Sequence, residues 1–310
     1  MNQLNFENKE LSLSAVLITA CICTLFGANA VAIKISLSGL GVFTTAGLRF
    51  GIASIAIFCW ARITGRSFYI EKKQIHQLLI LSAVFTVQLS LFYLGLSKSN
   101  ASRGTLLLNL QPFFTLFLAH FFIPGDHITP RKTLGILMGF SGVLFVFLEK
   151  KGVTGDFQIG DLMILTATFI WSCNAVYTKR IIHAYKPFQM VLYPMILSVP
   201  VFFLEGFLWD GTMIRHMNLT IVGALLYQSI VTASFGFVVW ISLLQRYGAV
   251  ALHSFIFIMP ITGVLLGGLI LAEPITPKIL VALLLIVSGI LVVHFKQKKI
   301  VPVFPLDRNV

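Results

Sequence analysis

Asn29 and Asn174 stand inside apolar runs with matching neighbours, Phe26-Gly-Ala-Asn-Ala-Val-Ala-Ile-Lys34 and Trp171-Ser-Cys-Asn-Ala-Val-Tyr-Thr-Lys179. A carboxamide offers both donors and acceptors, which suits a zwitterionic or amide-bearing small molecule. Within an apolar segment it must be bonded, either to such a ligand or to a neighbouring helix or its own backbone. Phe26, Trp171 and Tyr177 lie nearby at helical spacing and could form an apolar or cation-binding wall, or simply pack. Arg49 is the one charge well inside an apolar run. It could snorkel, bond a carbonyl or face a substrate carboxylate. Pro112, preceded by Gln111, and Pro260, two turns after His253, put helix breakers beside polar groups. Proline removes a backbone donor and clashes with the preceding turn, so both helices are expected to kink and leave a carbonyl free. Gln88, Asn109, Tyr227 and Gln228 are further cavity candidates. Lys34 and Lys179 close their runs, where they could snorkel or gate opposite faces of a membrane.

Other chemistries are missing. None of the carboxylates is placed near the middle of an apolar run, so proton antiport through a membrane-embedded acid is not expected. There is no HExxH, no GxSxG and no pair of intramembrane carboxylates, which argues against an enzyme. Cys21, Cys23, Cys59 and Cys173 make no CxxC pair and read as small packing residues. No cofactor or metal is implied.

The elements that must position these residues follow from composition. Of 310 residues, 57% are hydrophobic and 11% charged, whereas soluble domains carry about 25% charged residues. The net charge of +12 does not imply nucleic-acid binding, because the basic residues form short clusters between apolar stretches. Ten runs approach the roughly 20 residues a span requires: 11–33, 43–61, 78–97, 105–123, 133–148, 162–178, 188–204, 219–244, 249–272 and 279–295. Ala28-Asn29-Ala30 resembles a cleavage site, but the leading segment has Glu7 and Glu10 against one Lys9, so the first run is expected to be structural. With the N-terminus inside, 15 lysines and arginines fall on the inner side and 7 on the outer. Both termini are therefore expected in the cytoplasm.

The chain repeats itself. Asn29, Ala30, Val31 and Lys34 recur as Asn174, Ala175, Val176 and Lys179, at an offset of 145. Leu96, Ala101 and Pro112 align with Leu244, Ala249 and Pro260 at 148, and Ile128-Thr129-Pro130 recurs as Ile275-Thr276-Pro277 at 147. Each half has five spans, an odd number, so the second half must lie inverted in the membrane. Inverted repeats support alternating access.

These paired segments, the TPRKTLGILMGFSGVLFV and TPKILVALLLIVSGILVV stretches, Leu48-Arg49-Phe50 and Ala272-Glu273 resemble the drug/metabolite transporter superfamily, specifically its EamA-type members. Gly125-Asp126-His127 departs from that pattern where the second half has Ala272-Glu273-Pro274. The resemblance implies an all-α polytopic membrane protein of about ten spans as two inverted five-helix repeats around a central cavity. The expected units are 1–148, 149–296 and a cytoplasmic tail over 297–310. The resemblance also implies export of amino acids or similar metabolites across a bacterial inner membrane, by a monomer or homodimer. Efflux of lipophilic cations and a non-transporting scaffold are the alternatives; the first would want an acidic residue in the cavity.

Overall fold

The computed structural model describes residues 12–123, 129–148, 155–247, 252 and 255–294. Almost all of them are helical, and the sole β-pairing among them is an isolated bridge between Leu40 and Ile214. The helices are α1 (Leu13–Leu37), α2 (Val42–Ile63), α3 (Lys72–Lys98), α4 (Ala101–Leu108), α5 (Gln111–Phe122), α6 (Pro130–Leu148), α7 (Gly155–Ile181) and α8 (Pro187–Trp209). α9 (Leu219–Leu226), a π-helical segment (Tyr227–Gly236) and α10 (Phe237–Tyr247) follow as one continuous rod, and then α11 (Ile258–Leu271) and α12 (Pro277–His294). Eight apolar crossings of 18 residues or more result, with α4–α5 and α9–α10 each counting as one. The shorter apolar helices 258–271 and 277–293 complete the ten. Leucines such as Leu134, Leu137, Leu144, Leu280 and Leu284 are exposed, as a lipid-facing belt requires.

Sequence boundaries were too tight at several ends. α4 begins at Ala101 and α7 at Gly155, so Arg103 and Asp161, expected in polar connections, both fall inside helices. The two prolines break their spans instead of kinking them. Pro112 sits in the first turn of α5, after a non-helical step at Asn109 and Leu110. Pro260 sits in the first turn of α11, behind a turn over 255–257 closed by 3₁₀-type bonds such as Met259 N to Ile256 O, 2.9 Å.

Inversion is visible in how equivalent helices meet. α2 runs antiparallel to its repeat mate α8, with Gly41 against Asp210, Gly47 against Phe203 and Gly51 against Val199. α4 also runs antiparallel to α11, which belongs to the mate of its span although its own repeat mate is α5, with Ser102 against Gly267 and Thr105 against Gly263. α6 meets α12 with Gly135 against Val293 and Gly142 against Ala282 and Ile286. The α2–α8 and α6–α12 pairs straddle the pseudo-twofold axis, and two equivalent elements can be antiparallel across it only if the halves are inverted. Both members of the last pair begin Thr-Pro, with proline at the first helical position. Thr129 Oγ1 accepts from Lys132 N (3.3 Å) and Thr276 Oγ1 from Ile279 N (3.4 Å). The next residue in each, Arg131 or Lys278, donates to a carbonyl near the partner's C-terminus, Val292 O (2.6 Å) or Leu148 O (2.8 Å). Cations are favoured at helix C-termini.

A Cβ on Gly135 would lie 2.4 Å from Val293 Cγ2 and 2.7 Å from Gly289 O. Gly135→Val should therefore force α6 and α12 apart and cost about 1–3 kcal/mol, read as a lower unfolding midpoint in detergent. An unchanged midpoint would mean that this seam tolerates separation.

Candidate functional site

The middle of the helical bundle holds a hydrogen-bonded polar chain drawn from four elements. α2 supplies Arg49, about two turns from its start. Its Nη1 donates to Tyr93 Oη of α3 (3.1 Å) and its Nη2 to Thr232 Oγ1 of the π segment (3.3 Å). Tyr93 Oη donates to Gln228 Oε1 (3.1 Å), and Gln228 Nε2 donates to Ser36 Oγ of α1 (2.7 Å). Thr232 has one hydroxyl proton and two acceptors in reach, Asn29 Oδ1 (3.0 Å) and Gln228 O (2.8 Å). Arg49, Tyr93, Gln228 and Thr232 are all buried, while Asn29 is half-buried. The guanidinium also lies 5.0 Å from the centre of the Phe50 ring. Its Nε is buried without a partner.

The π segment matters here. Its i→i+5 bonding is rare and tends to occur at functional sites, and both Gln228 and Thr232 are carried on it. Both face the core, as do Ser229, Ala233, Ser234 and Gly236. Tyr227, at its start, is half-buried and donates to Leu25 O of α1 (2.7 Å).

Asn174 forms a second, separate pair. Its Nδ2 donates to Gln88 Oε1 of α3 (3.3 Å), and its buried Oδ1 has no partner. The two asparagines thus make equivalent contacts: each reaches the third helix of the other half, Asn29 to the π segment and Asn174 to α3. The same symmetry governs the residue two before each. Gly27 packs on Met259 O, which a Cβ there would approach to 2.6 Å, while Ser172 Oγ donates to Gln111 O (3.1 Å). In both cases α1 or α7 addresses the carbonyl just ahead of a span-breaking proline.

Phe26 packs edge-on against Phe237 (5.5 Å) and Trp240 (6.1 Å), forming an aromatic wall on the α10 side. Trp171, Tyr177 and Gln111 are half-buried, and Pro112 and Pro260 are buried. Asn109 turns back to Thr105 O (2.8 Å) and stays local. His253 and Asp126 lie outside the described residues. Sequence reasoning missed Tyr93, Ser36 and Thr232, which carry no repeat or motif signal.

A second group of polar contacts lies at the face opposite the start of α1. Asp210, just after α8, accepts from Phe43 N (3.1 Å), Thr44 N (2.8 Å) and Thr44 Oγ1 (2.7 Å) at the N-terminus of α2. Glu273 does the same for α4, accepting from Ala101 N (2.6 Å), Ser102 N (2.8 Å) and Ser102 Oγ (2.6 Å). Lys34 Nζ donates to Ser99 O (2.7 Å) and Leu96 O (3.2 Å) at the end of α3. Its repeat mate Lys179, at the other face, is exposed. Arg103 pairs with Asp161 of α7, both fully buried, and Ser99 Oγ donates to the same carboxylate (2.6 Å). Each carboxylate belongs to the second half and each partner to the first. Asp161 and Glu205, the latter bonded by Ser90 Oγ (2.7 and 2.9 Å), lie inside α7 and α8 but toward their ends.

Comparison with known proteins agrees with this architecture. A protein named "Probable amino-acid metabolite efflux pump" in Escherichia coli is 25% identical over 281 residues, covering 87% of this chain and 91% of its own. An "Uncharacterized transporter" of Archaeoglobus fulgidus is 28% identical over 287 residues, covering 91% and 99%. A crystal structure with 18% identity superposes with a TM-score of 0.70 over 90% of this chain and 96% of that one, which shows a common fold. Residues 13–148 and 158–295 each match the EamA-like transporter family. A two-repeat helical membrane protein with those matches belongs to the EamA-like transporter family, and is a multi-pass membrane transporter of small molecules.

Proposed function

We propose that the chain exports amino acids or similar small metabolites by alternating access, loading them from the cytoplasm. The observation that carries this reading is an inverted repeat whose halves are joined across one face by Asp210, Glu273 and the Arg103–Asp161 pair. The bias of lysine and arginine puts both termini in the cytoplasm and makes the joined face the outer one. In a bacterial inner membrane the outer face is periplasmic. Two inverted halves can exchange conformations, so breaking the outer contacts while making their mates at the inner face would carry a bound molecule outward. The units are 1–148 and 149–296, and one chain completes the site. An efflux pump for lipophilic cations fits less well, since the central charge is Arg49 and its partners are neutral.

Reconstituted protein should show saturable flux of a radiolabelled amino acid, reduced about tenfold or more in Asn29→Ala/Asn174→Ala if each amide contributes a bond to the bound molecule. Equal flux in the variant would remove the asparagines from the site. Absence of flux across the whole amino-acid panel would overturn the substrate class.

A further inference from the structure

We propose that Arg49 is the recognition point for a carboxylate on the transported molecule, so that small carboxylates are carried and their amides and amines are refused. This deepens the exporter reading and rests on it for the transport step, though not for binding. Arg49 is 3% exposed, yet no described carboxylate lies within salt-bridge distance. Contrast Arg103, equally buried, which has Asp161. A buried cation without a counter-charge is expensive, by several kcal/mol as a general scale. The neighbourhood offers two neutral hydroxyls, the Phe50 ring and nothing for Nε. A guanidinium presents a planar fork that matches a carboxylate, and the unused Nε–H supplies part of that fork.

The surroundings suit the arrival of an anion. Tyr93 and Thr232 accept from Arg49 while donating onward to Gln228 and Asn29. Hydroxyls rotate, so either could donate to an incoming carboxylate instead. Asn29 uses only its Oδ1 within the described structure, which leaves its Nδ2 donors for the same ligand. No acid from α1, α3 or the π segment bonds into this chain to compete. The cation also has no repeat mate: positions 194–197, which correspond to it in the second half, read Pro-Met-Ile-Leu. The carboxylate end of the cargo therefore has one possible anchor, not two.

The test uses purified full-length protein with two series of matched compounds. One is phenylalanine, phenylalaninamide, phenethylamine and 3-phenylpropionate; the other is the corresponding leucine set. Thermal stabilisation in detergent reads binding, and flux in proteoliposomes reads transport. The acids should stabilise the chain and move about tenfold or more faster than the amide and amine, on the scale of one charge-assisted bond. Arg49→Gln should erase that preference. Arg49→Lys, which keeps the charge but not the fork, should retain part of it and guards against loss of fold in the first variant. Amide or amine matching the acid in wild type would overturn the proposal, as would a preference that survives Arg49→Gln. Equal stabilisation by chloride or sulfate would also overturn it, since that marks a fixed anion site. Acid-selective stabilisation without flux would leave the carboxylate site standing and sink the exporter reading alone. Neither stabilisation nor flux from any acid would sink both.

Discussion

Arg103→Ala should destabilise the folded chain by about 3–5 kcal/mol, the usual cost of removing one partner from a buried ion pair. Both side chains are out of water, at 2% and 0% exposure. Arg103 Nε donates to Asp161 Oδ2 (2.9 Å), Nη2 to the same oxygen, and Ser99 Oγ to Oδ1 (2.6 Å). Without the guanidinium, Asp161 keeps one neutral donor and no counter-charge. The pair itself is worth much less than its rupture, because desolvating both ions offsets most of their attraction and Nη1 of Arg103 is left unbonded. Arg103→Met with Asp161→Leu should accordingly recover most of the loss. Unfolding midpoints of wild type, both single variants and the double variant test this. Single variants as stable as wild type would show that water reaches the pair.

Glu273→Ala should shift the protein toward opening of the face that Asp210 and Glu273 hold closed. The carboxylate takes three donors at the start of α4, two of them backbone N–H groups that no helix can satisfy. Hydrogen bonds to a charged group are worth about 1.5–3 kcal/mol each. Losing even one net bond of that size moves a two-state equilibrium about tenfold to a hundredfold. Thr105 lies beneath this contact, buried against Gly263 of α11. In a background without the four native cysteines, Thr105→Cys should react slowly with an impermeant thiol reagent. It should react about tenfold or more faster when Glu273→Ala is added. Equal rates would mean that α4 and α11 are held by packing alone.

The legible part of this molecule is the part that repeats. Spans, inversion and the placement of the asparagine pair follow from apolar length and from polar residues recurring in order; at Pro112 and Pro260 the sequence marks the place, but a kink was expected where the helices break. The buried ion pair was not legible, because Arg103 and Asp161 sit at helix ends where charge ordinarily meets water. Helices that extend further than their apolar runs took both inside. Tyr93 and Thr232 were invisible for another reason: a tyrosine or threonine in an apolar run has the same appearance whether it packs or bonds. Arg49 was conspicuous from the start, but its neutral surroundings depend on side chains from α3 and the π segment that no local pattern brings together.

A π turn holds more residues than the α turn it replaces, so the Tyr227–Gly236 segment stores extra chain within a crossing whose mate, α3, is unbroken α-helix. Between Asn174 and Leu244 the repeat offset also grows, from 145 to 148. In terms of descent, a duplicated gene can gain codons at such a place and still deliver both helix ends to their partners. Added residues would turn the side chains around them, and Gln228 and Thr232, both on this segment, are the ones that meet Tyr93 and Arg49. Two copies that began alike would thereby acquire a site with two different ends, as a molecule with an acid at one end requires.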